Sequence, residues 1–456
     1  MQTLRLLGWT ALSLIVLVAT AARPSMADEP PVSKTAPVAA TTSPTSPDAA
    51  PTPPDAAPTS PDAAPTPPDA APSAPRRESL SAPAAPALLV VQAQFTEKPG
   101  PGGKSLPAPG AAKLTILRRS PSGWQATVVE DPDSNVFHKA LPWDGGVLTI
   151  GATKAMLKTW KFEGGKWTEK VRWNPTFGGK FDRLRDVEAG DVDGDGKDDL
   201  VIATHDQGVI AIVHPAQDWK VEEIDRQPDT FVHEIEIGDV DGDGKREIFT
   251  TPSRPNKLDA AQAGEVRMYS LVPGKGWVRS VVDAPGDTHA KEILTADTDR
   301  DGKDELFIVW EGAIAQGGSV ARPVTIKQYR RKGDAWESSV VATVPDRQMR
   351  SMAAGDVNGD GKIDLVAGGL SSGLWLLEQK PEGGWSSTQI DANSSGFEHP
   401  VLLADLDGDG KLEIYVAAED QRELRLYRWK DGKFVSEVVS TLQKGDITWN
   451  LTAGKL

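Results

Sequence analysis

Seven times along the chain an alternating stretch of polar and apolar positions opens on an aromatic residue: Trp124, Trp167, Trp219, Trp277, Trp336, Trp385 and Phe434, spaced 43 to 59 residues apart. A period of two marks a strand with one face in water. Before most of these lies a second short alternating segment, such as Val266-Arg267-Met268-Tyr269 or Leu424-Arg425-Leu426-Tyr427. The turn between them, rich in Gly, Lys, Pro and Asp, predicts a hairpin. Each period holds about four strands, the spacing of propeller blades, where radial packing leaves only short edges exposed. At the start, Leu88 to Phe95, Leu114 to Arg118 and Trp124 to Glu130 predict the second, third and fourth strands of a blade that lacks its inner strand. Thr448 to Ala453 resembles the inner strands Val232 to Ile237 and Glu398 to Leu403, and would complete that blade. The expectation is an all-β fold: a seven-bladed β-propeller of four-stranded antiparallel blades over residues 85–456, closed non-covalently by its C-terminal strand.

Ahead of the repeat the pattern is different. Residues 1–27 read as a secretory signal, with Arg5 followed by an apolar run from Leu6 to Val18 and then small residues. Left uncleaved, the segment would be at the lower limit for a membrane anchor, the one route by which this reading involves a membrane. Residues 28–84 form a Pro/Ala-rich linker whose centre repeats Pro-Asp-Ala-Ala-Pro-Thr-x, placing Asp48, Asp55, Asp62 and Asp69 at even spacing. Proline in every unit removes helix donors, so an extended spacer is predicted. These segments point to a secreted, periplasmic or cell-surface protein.

Five segments share a denser chemistry. The loops Asp191–Asp199, Asp239–Glu247, Asp297–Glu305, Asp356–Asp364 and Asp405–Glu413 carry Asp or Asn at positions 1, 3 and 5, Gly at 6, Lys at 7 and an acid at 9. Alternate residues of a tight turn aim their oxygens at one centre, and Ca²⁺ takes six to eight such hard ligands at roughly 2.3–2.6 Å. An EF-hand is excluded, because position 12 is Ile202, Thr250, Ile308, Ala367 or Val416 instead of a bidentate Glu. The loops hold 21 acidic and 7 basic residues, accounting for −14 of the chain's net charge of −15. So many carboxylates in tight turns call for a counter-ion, and calcium stapling the inner strands of each blade is the expected cofactor. The acidic balance argues against nucleic acid as a partner. With no cysteine, thiolate metal sites, disulfides and cysteine nucleophiles are excluded.

The loop pattern resembles the calcium-binding half of the FG-GAP/VCBS repeats that build the seven-bladed propeller of integrin α subunits and many bacterial exported proteins. The resemblance covers residues 85–456. It implies calcium ligation by the side chains of Asp191, Asp193, Asp195 and Asp199; Asp239, Asp241, Asp243 and Glu247; Asp297, Asp299, Asp301 and Glu305; Asp356, Asn358, Asp360 and Asp364; and Asp405, Asp407, Asp409 and Glu413. Lys197, Lys245, Lys303, Lys362 and Lys411 would offer backbone carbonyls. The fourth loop is the weakest, having Asn358 for an Asp. The blade containing Trp167 has only Asp144-Gly145-Gly146 where a full loop would stand, and is expected to bind no calcium.

Six residues before the first Asp of each loop stand Arg185, His233, Lys291, Arg350 and His399, with His138 at the same offset from Asp144 and Trp449 at the matching place in the last strand. At about 3.3 Å per residue this position is about 20 Å from the loops, near the opposite mouth of the channel. Such a rim would suit an anionic ligand. The neighbouring Asp186, Glu234 and Glu292 equally allow inter-blade ion pairs facing no ligand. His205 and His214 read as ordinary strand or loop residues, and Trp143, Trp160, Trp310 and Trp375 as packing residues. No G-x-S-x-G, H-E-x-x-H, P-loop or dinucleotide motif occurs. The expectation is a monomeric binding module for an extracellular glycan or surface protein. A calcium-dependent polysaccharide lyase and a purely architectural module are the competing readings.

Overall fold

Continuous apolar runs and alternating runs take separate places in the same sheet. The second strand of each calcium-loop blade, such as Asp199–Thr204, Glu305–Trp310, Asp364–Gly369 or Glu413–Ala418, is buried along its whole length. It has blades on both sides, so neither face meets water. The fourth strands, Gly123–Asp131, Gly276–Asp283 and Lys433–Thr441 among them, are mostly exposed on the perimeter. A computed structural model describes residues 86–456 apart from 100–104, 179–181, 256–261 and 316. The readings of residues 1–27 and 28–84 lie outside the described residues.

Among the described residues seven four-stranded antiparallel sheets form the blades, and Ile447–Gly454 pairs with Ala87–Pro99 to complete the first. Ring closure by the C-terminal strand is therefore as expected. Two details differ. The last blade's inner strand is Val401–Ala404 and not Glu398 to Leu403, because His399 turns to φ 47° and Pro400 has no N–H to pair. The fifth blade also carries a small hairpin, Ala313–Ile314 with Val320–Arg322.

The cores lie between blades. Phe307, Val309, Val324 and Ile326 of the fifth blade close on Met349, Met352, Leu365 and Leu377 of the sixth, and comparable clusters fill the other seams. Burying each such side chain contributes roughly 1.5–3 kcal/mol. The recurring aromatic opener is the wedge of each seam. Trp124, Trp336 and Trp385 pack edge-on against Tyr415, Phe249 and Phe307 of the preceding blade, at centroid distances of 6.2, 6.1 and 5.7 Å. Trp143, Trp160, Trp310 and Trp375 lie within strands, as expected of packing residues.

In six of the seven blades the inner strand also contains a feature absent from the apolar pattern. Its pairing with the second strand skips one residue, which is His138, Arg185, Lys291, Arg350 or Trp449; in the fourth blade His233 and Glu234 are skipped together. These are β-bulges, which leave a residue unpaired and re-aim its side chain. The recurring basic or aromatic position is thus the bulge position in every blade but the last, where His399 stands before the strand.

Candidate functional site

Each acidic loop is built around its first Asp. In the first loop Asp191 accepts from Gly194 N at 2.7 Å and Gly196 N at 2.8 Å, while Asp193 accepts from Asp195 N and Asp195 from Lys197 N. The second, fourth and fifth loops repeat this through Asp239, Asp356 and Asp405. Glycine is needed at position 6, where φ lies between 81° and 86° in all five. The position-9 acids leave the turn, enter the second strand and are buried, and each accepts from the backbone N of position 2, as Glu413 does from Leu406 at 3.1 Å. The position-7 lysines donate their backbone N to position 5, and Lys245 Nζ turns to Asp243 at 3.4 Å.

The donor set fits a hard divalent cation. Oxygens of Asp191, Asp193 and Asp195, of Asp239, Asp241 and Glu247, of Asp297, Asp299 and Asp301, and of Asp405, Asp407 and Glu413 each gather within 4.8 Å of one another. Burial pushes Glu247 up to about 7, with Asp241 adding repulsion, and raises Asp199, Glu305 and Glu413 too. Burial likewise pushes Asp364 up to about 7, and its Oδ1 has no hydrogen-bond partner. A bound cation would relieve both features. In the second blade Asp144 (φ 47°) and Gly145 (φ 68°) make a two-residue turn, too short for such a cradle.

Partners from the third strands went unforeseen. Register sets His214, Ser270, Arg330, Glu378 and Arg428 across from the five position-9 acids. His214 is therefore no ordinary strand residue: it is buried, with Nδ1 2.7 Å from Asp199 Oδ1. Arg330 reaches Glu305 at 3.1 Å and Asp299 at 3.0 Å, and Arg428 reaches Glu413 at 3.1 Å and Asp407 at 3.3 Å. Such partners become legible only once third-strand register is known.

The seven recurring positions converge on the channel unequally. His138, Arg185, Arg350 and Trp449 border a cavity of about 250 Å³, joined by Glu234, Glu292 and Glu398, so that every blade contributes to one wall. His233, Lys291 and His399 are not among its lining residues. His399 is held by Ser394 Oγ and Gly369 O, both at 2.8 Å, and His233 packs between His205 and His289. Burial holds His138 and His233 well below the usual imidazole range and His399 at about 4, so these rings are neutral. Burial, aided by Arg350, brings Lys291 down to about 7.

The arginines are already partnered. Arg350 Nη1 lies 2.7 Å from Glu398 Oε1 and its Nε 3.4 Å from Glu311, while Arg185 Nη2 lies 3.2 Å from Glu234. Asp186, Glu188, Glu234, Glu236, Glu292 and Glu398 all line the cavity, against Lys139, Arg185 and Arg350. The wall is therefore acidic on balance, unlike the cationic rim that residue types alone suggest. The acids that follow Arg185, His233 and Lys291, with Glu188, Glu236 and Glu398, supply the difference. His289, Glu311 and Phe397, at the same end of the channel, had no recurring signal to mark them.

The FG-GAP-like repeat family matches residues 191–250 and 356–416, each span opening on the first Asp of a loop and closing after the next one. No curated protein matches the chain. Among solved structures, a candidate 6-phosphogluconolactonase from Bacteroides uniformis is similar at 12% identity, with 81% of this chain and 99% of that one covered and a TM-score of 0.50. Another, from Bacteroides fragilis, has 11% identity, covers 84% and 100%, and has a TM-score of 0.48. At such identities the likeness concerns the fold alone. Five acidic loops, blade register and ring closure agree with the repeat match: the chain carries FG-GAP-like repeats on a seven-bladed β-propeller.

Proposed function

We propose that this protein is an exported, calcium-loaded binding module that takes a hydroxyl-rich ligand, an extracellular glycan or the glycan of a surface protein, at the mouth of its channel. The observation that carries the proposal is a pair of unsatisfied groups in the cavity wall. Trp449 Nε1, a donor, and Asn450 Oδ1, an acceptor, are both buried without a hydrogen-bond partner. Native proteins rarely leave such groups unpaired, and sugar hydroxyls both donate and accept. The indole supplies an apolar face, with Phe397 edge-on at 6.3 Å. Because the arginines are held by Glu234, Glu311 and Glu398, a neutral glycan fits this wall better than a polyanion. Calcium, held by the five loops, would neutralise their charge and fix the ends of the inner strands that carry the bulges.

The test is retention on immobilised neutral and acidic glycans in millimolar calcium, by the full chain and by Trp449→Ala. Neutral glycan kept by the first and lost by the second, with circular dichroism showing both folded at the assay temperature, is expected. Equal retention by the variant would move the site, and no retention by either would refute it. Metal analysis checks the cofactor separately: purified protein should contain calcium, and chelation should lower its melting temperature.

A further inference from the structure

The fourth loop is short of one carboxylate. Where the other loops have an acid at position 3 it has Asn358, leaving Asp356, Asp360 and Asp364. Across the sheet from Asp364, the pairing of Leu365 with Leu377 sets Glu378 on the third strand Leu374–Gln379. Asn358 Nδ2 donates to Glu378 Oε1 at 3.2 Å, so this carboxylate lies against the loop itself. The amide is oriented by that contact, and its Oδ1 accepts from Asp360 N at 2.9 Å.

Asp364 is the second, independent observation. It is 1% exposed, its Oδ2 accepts from Val357 N at 3.4 Å, and its Oδ1 has no partner. Among the position-9 acids it is the one with an unpartnered buried oxygen. In the third and fifth loops the same cross-strand place holds Arg330 and Arg428, which occupy oxygens of Glu305 and Glu413. The fourth loop has the opposite charge there, beside a carboxylate already starved of partners. Two acids facing each other across a strand pair, Asp364 buried and Glu378 half-buried, repel unless a cation lies between them. Lys362, the nearest lysine in the sequence of the loop, is turned away to Gln379 O at 3.2 Å.

We propose that the fourth loop is a complete calcium site in which Glu378 is a ligand, recovering from a neighbouring strand the carboxylate that Asn358 removes. With Glu378 the candidate ligand acids again number four, as at positions 1, 3, 5 and 9 of the first loop. The inference rests on the calcium reading of the loops and adds a ligand outside their sequence pattern.

The experiment counts calcium bound to the full chain, by equilibrium dialysis over a range of free calcium. Glu378→Gln keeps the shape and the contact with Asn358 but removes the charge. It is expected to weaken one site about tenfold, leaving the protein one equivalent short of wild type at limiting calcium. Asn358→Asp in the same chain should restore that equivalent, because it returns the carboxylate from the loop side. In excess chelator Glu378→Gln should melt no lower than wild type, as the change then removes repulsion. A Glu378→Gln protein that binds as much calcium as wild type with the same affinity overturns the assignment of Glu378 alone. A wild-type protein that binds none overturns the calcium reading, and this one with it.

Discussion

Replacing Arg350 by alanine distinguishes a rim that waits for a ligand from one that holds the ring together. The guanidinium lies 2.7 Å from Glu398 and 3.4 Å from Glu311, stacks over Phe397 at 4.6 Å, and joins the sixth blade to the fifth and seventh. Glu398 is 3% exposed, and its other cation, Arg185, is 3.9 Å away. Removing one member of a buried pair costs about 3–5 kcal/mol, because the other charge is left without compensation. Taking about 4 kcal/mol for a ring of about 370 residues, at roughly 2.1 cal/mol/K of unfolding entropy per residue, the melting temperature should fall by about 5 °C. The assay is calorimetry at constant calcium on Arg350→Ala, Glu398→Gln and the double variant. Arg350→Ala with Glu398→Gln should regain part of the loss, since the stranded charge is gone. An Arg350→Ala protein that melts with wild type would refute the argument. It would mean the guanidinium is free in the channel, as an anion-binding rim requires.

Other outcomes follow from single features. Arg300 holds φ 61° at the fourth position of the third loop, where the other four loops have Gly at 76° to 80°; Arg300→Gly should stabilise the calcium-bound protein by about 1 kcal/mol, read as a higher melting temperature. Trp385→Ala, which removes a wedge on Phe307 and a 3.3 Å bond to Gln328, should cost about 3 kcal/mol in denaturant unfolding. Burial, with Glu188 beside Glu236, raises the channel acids Glu234, Glu236 and Glu292 well above 4.5. Groups shifted this way stabilise fully below their unfolded value and lose that contribution as pH rises through the folded one. At saturating calcium the melting temperature of Glu236→Gln, compared with wild type at each pH, should therefore gain as pH rises above the ordinary glutamate range, the histidine and Lys291 contributions being common to both; a difference that does not change with pH would contradict it.

The ring was legible because its signals are local and repeated. Aromatic openers, hairpin turns and Asp-rich loops each fit within about 10 residues of sequence and recur blade after blade, and the incomplete first blade made closure by the last strand the economical solution. The bulges were legible only as residue types. A basic residue followed by an acid records that apolar alternation fails there, but not which way the side chains turn, since that depends on one skipped pairing. Residue types therefore left two readings of the rim open, an anionic ligand or inter-blade ion pairs, and it is the side-chain directions that pair Arg185 with Glu234 and Arg350 with Glu398 and Glu311. Glu378, Arg330, Arg428 and His214 were illegible for another reason. They meet the loops through register in the third strand, 14 to 25 residues from the acids they face.

Closure by Ile447–Gly454 also sets an order of events during synthesis. Ala87–Pro99 emerges among the first strands of the ring, yet its partner is among the last, some 350 residues later. Until then its edge offers unpaired N–H and C=O groups to any passing strand. A chain growing at about 5–20 residues per second would stay open for roughly 20–70 s, and closing so distant a contact is intrinsically slow. The seam between first and last strands is thus where a nascent ring needs shelter, and where two half-made copies could exchange strands.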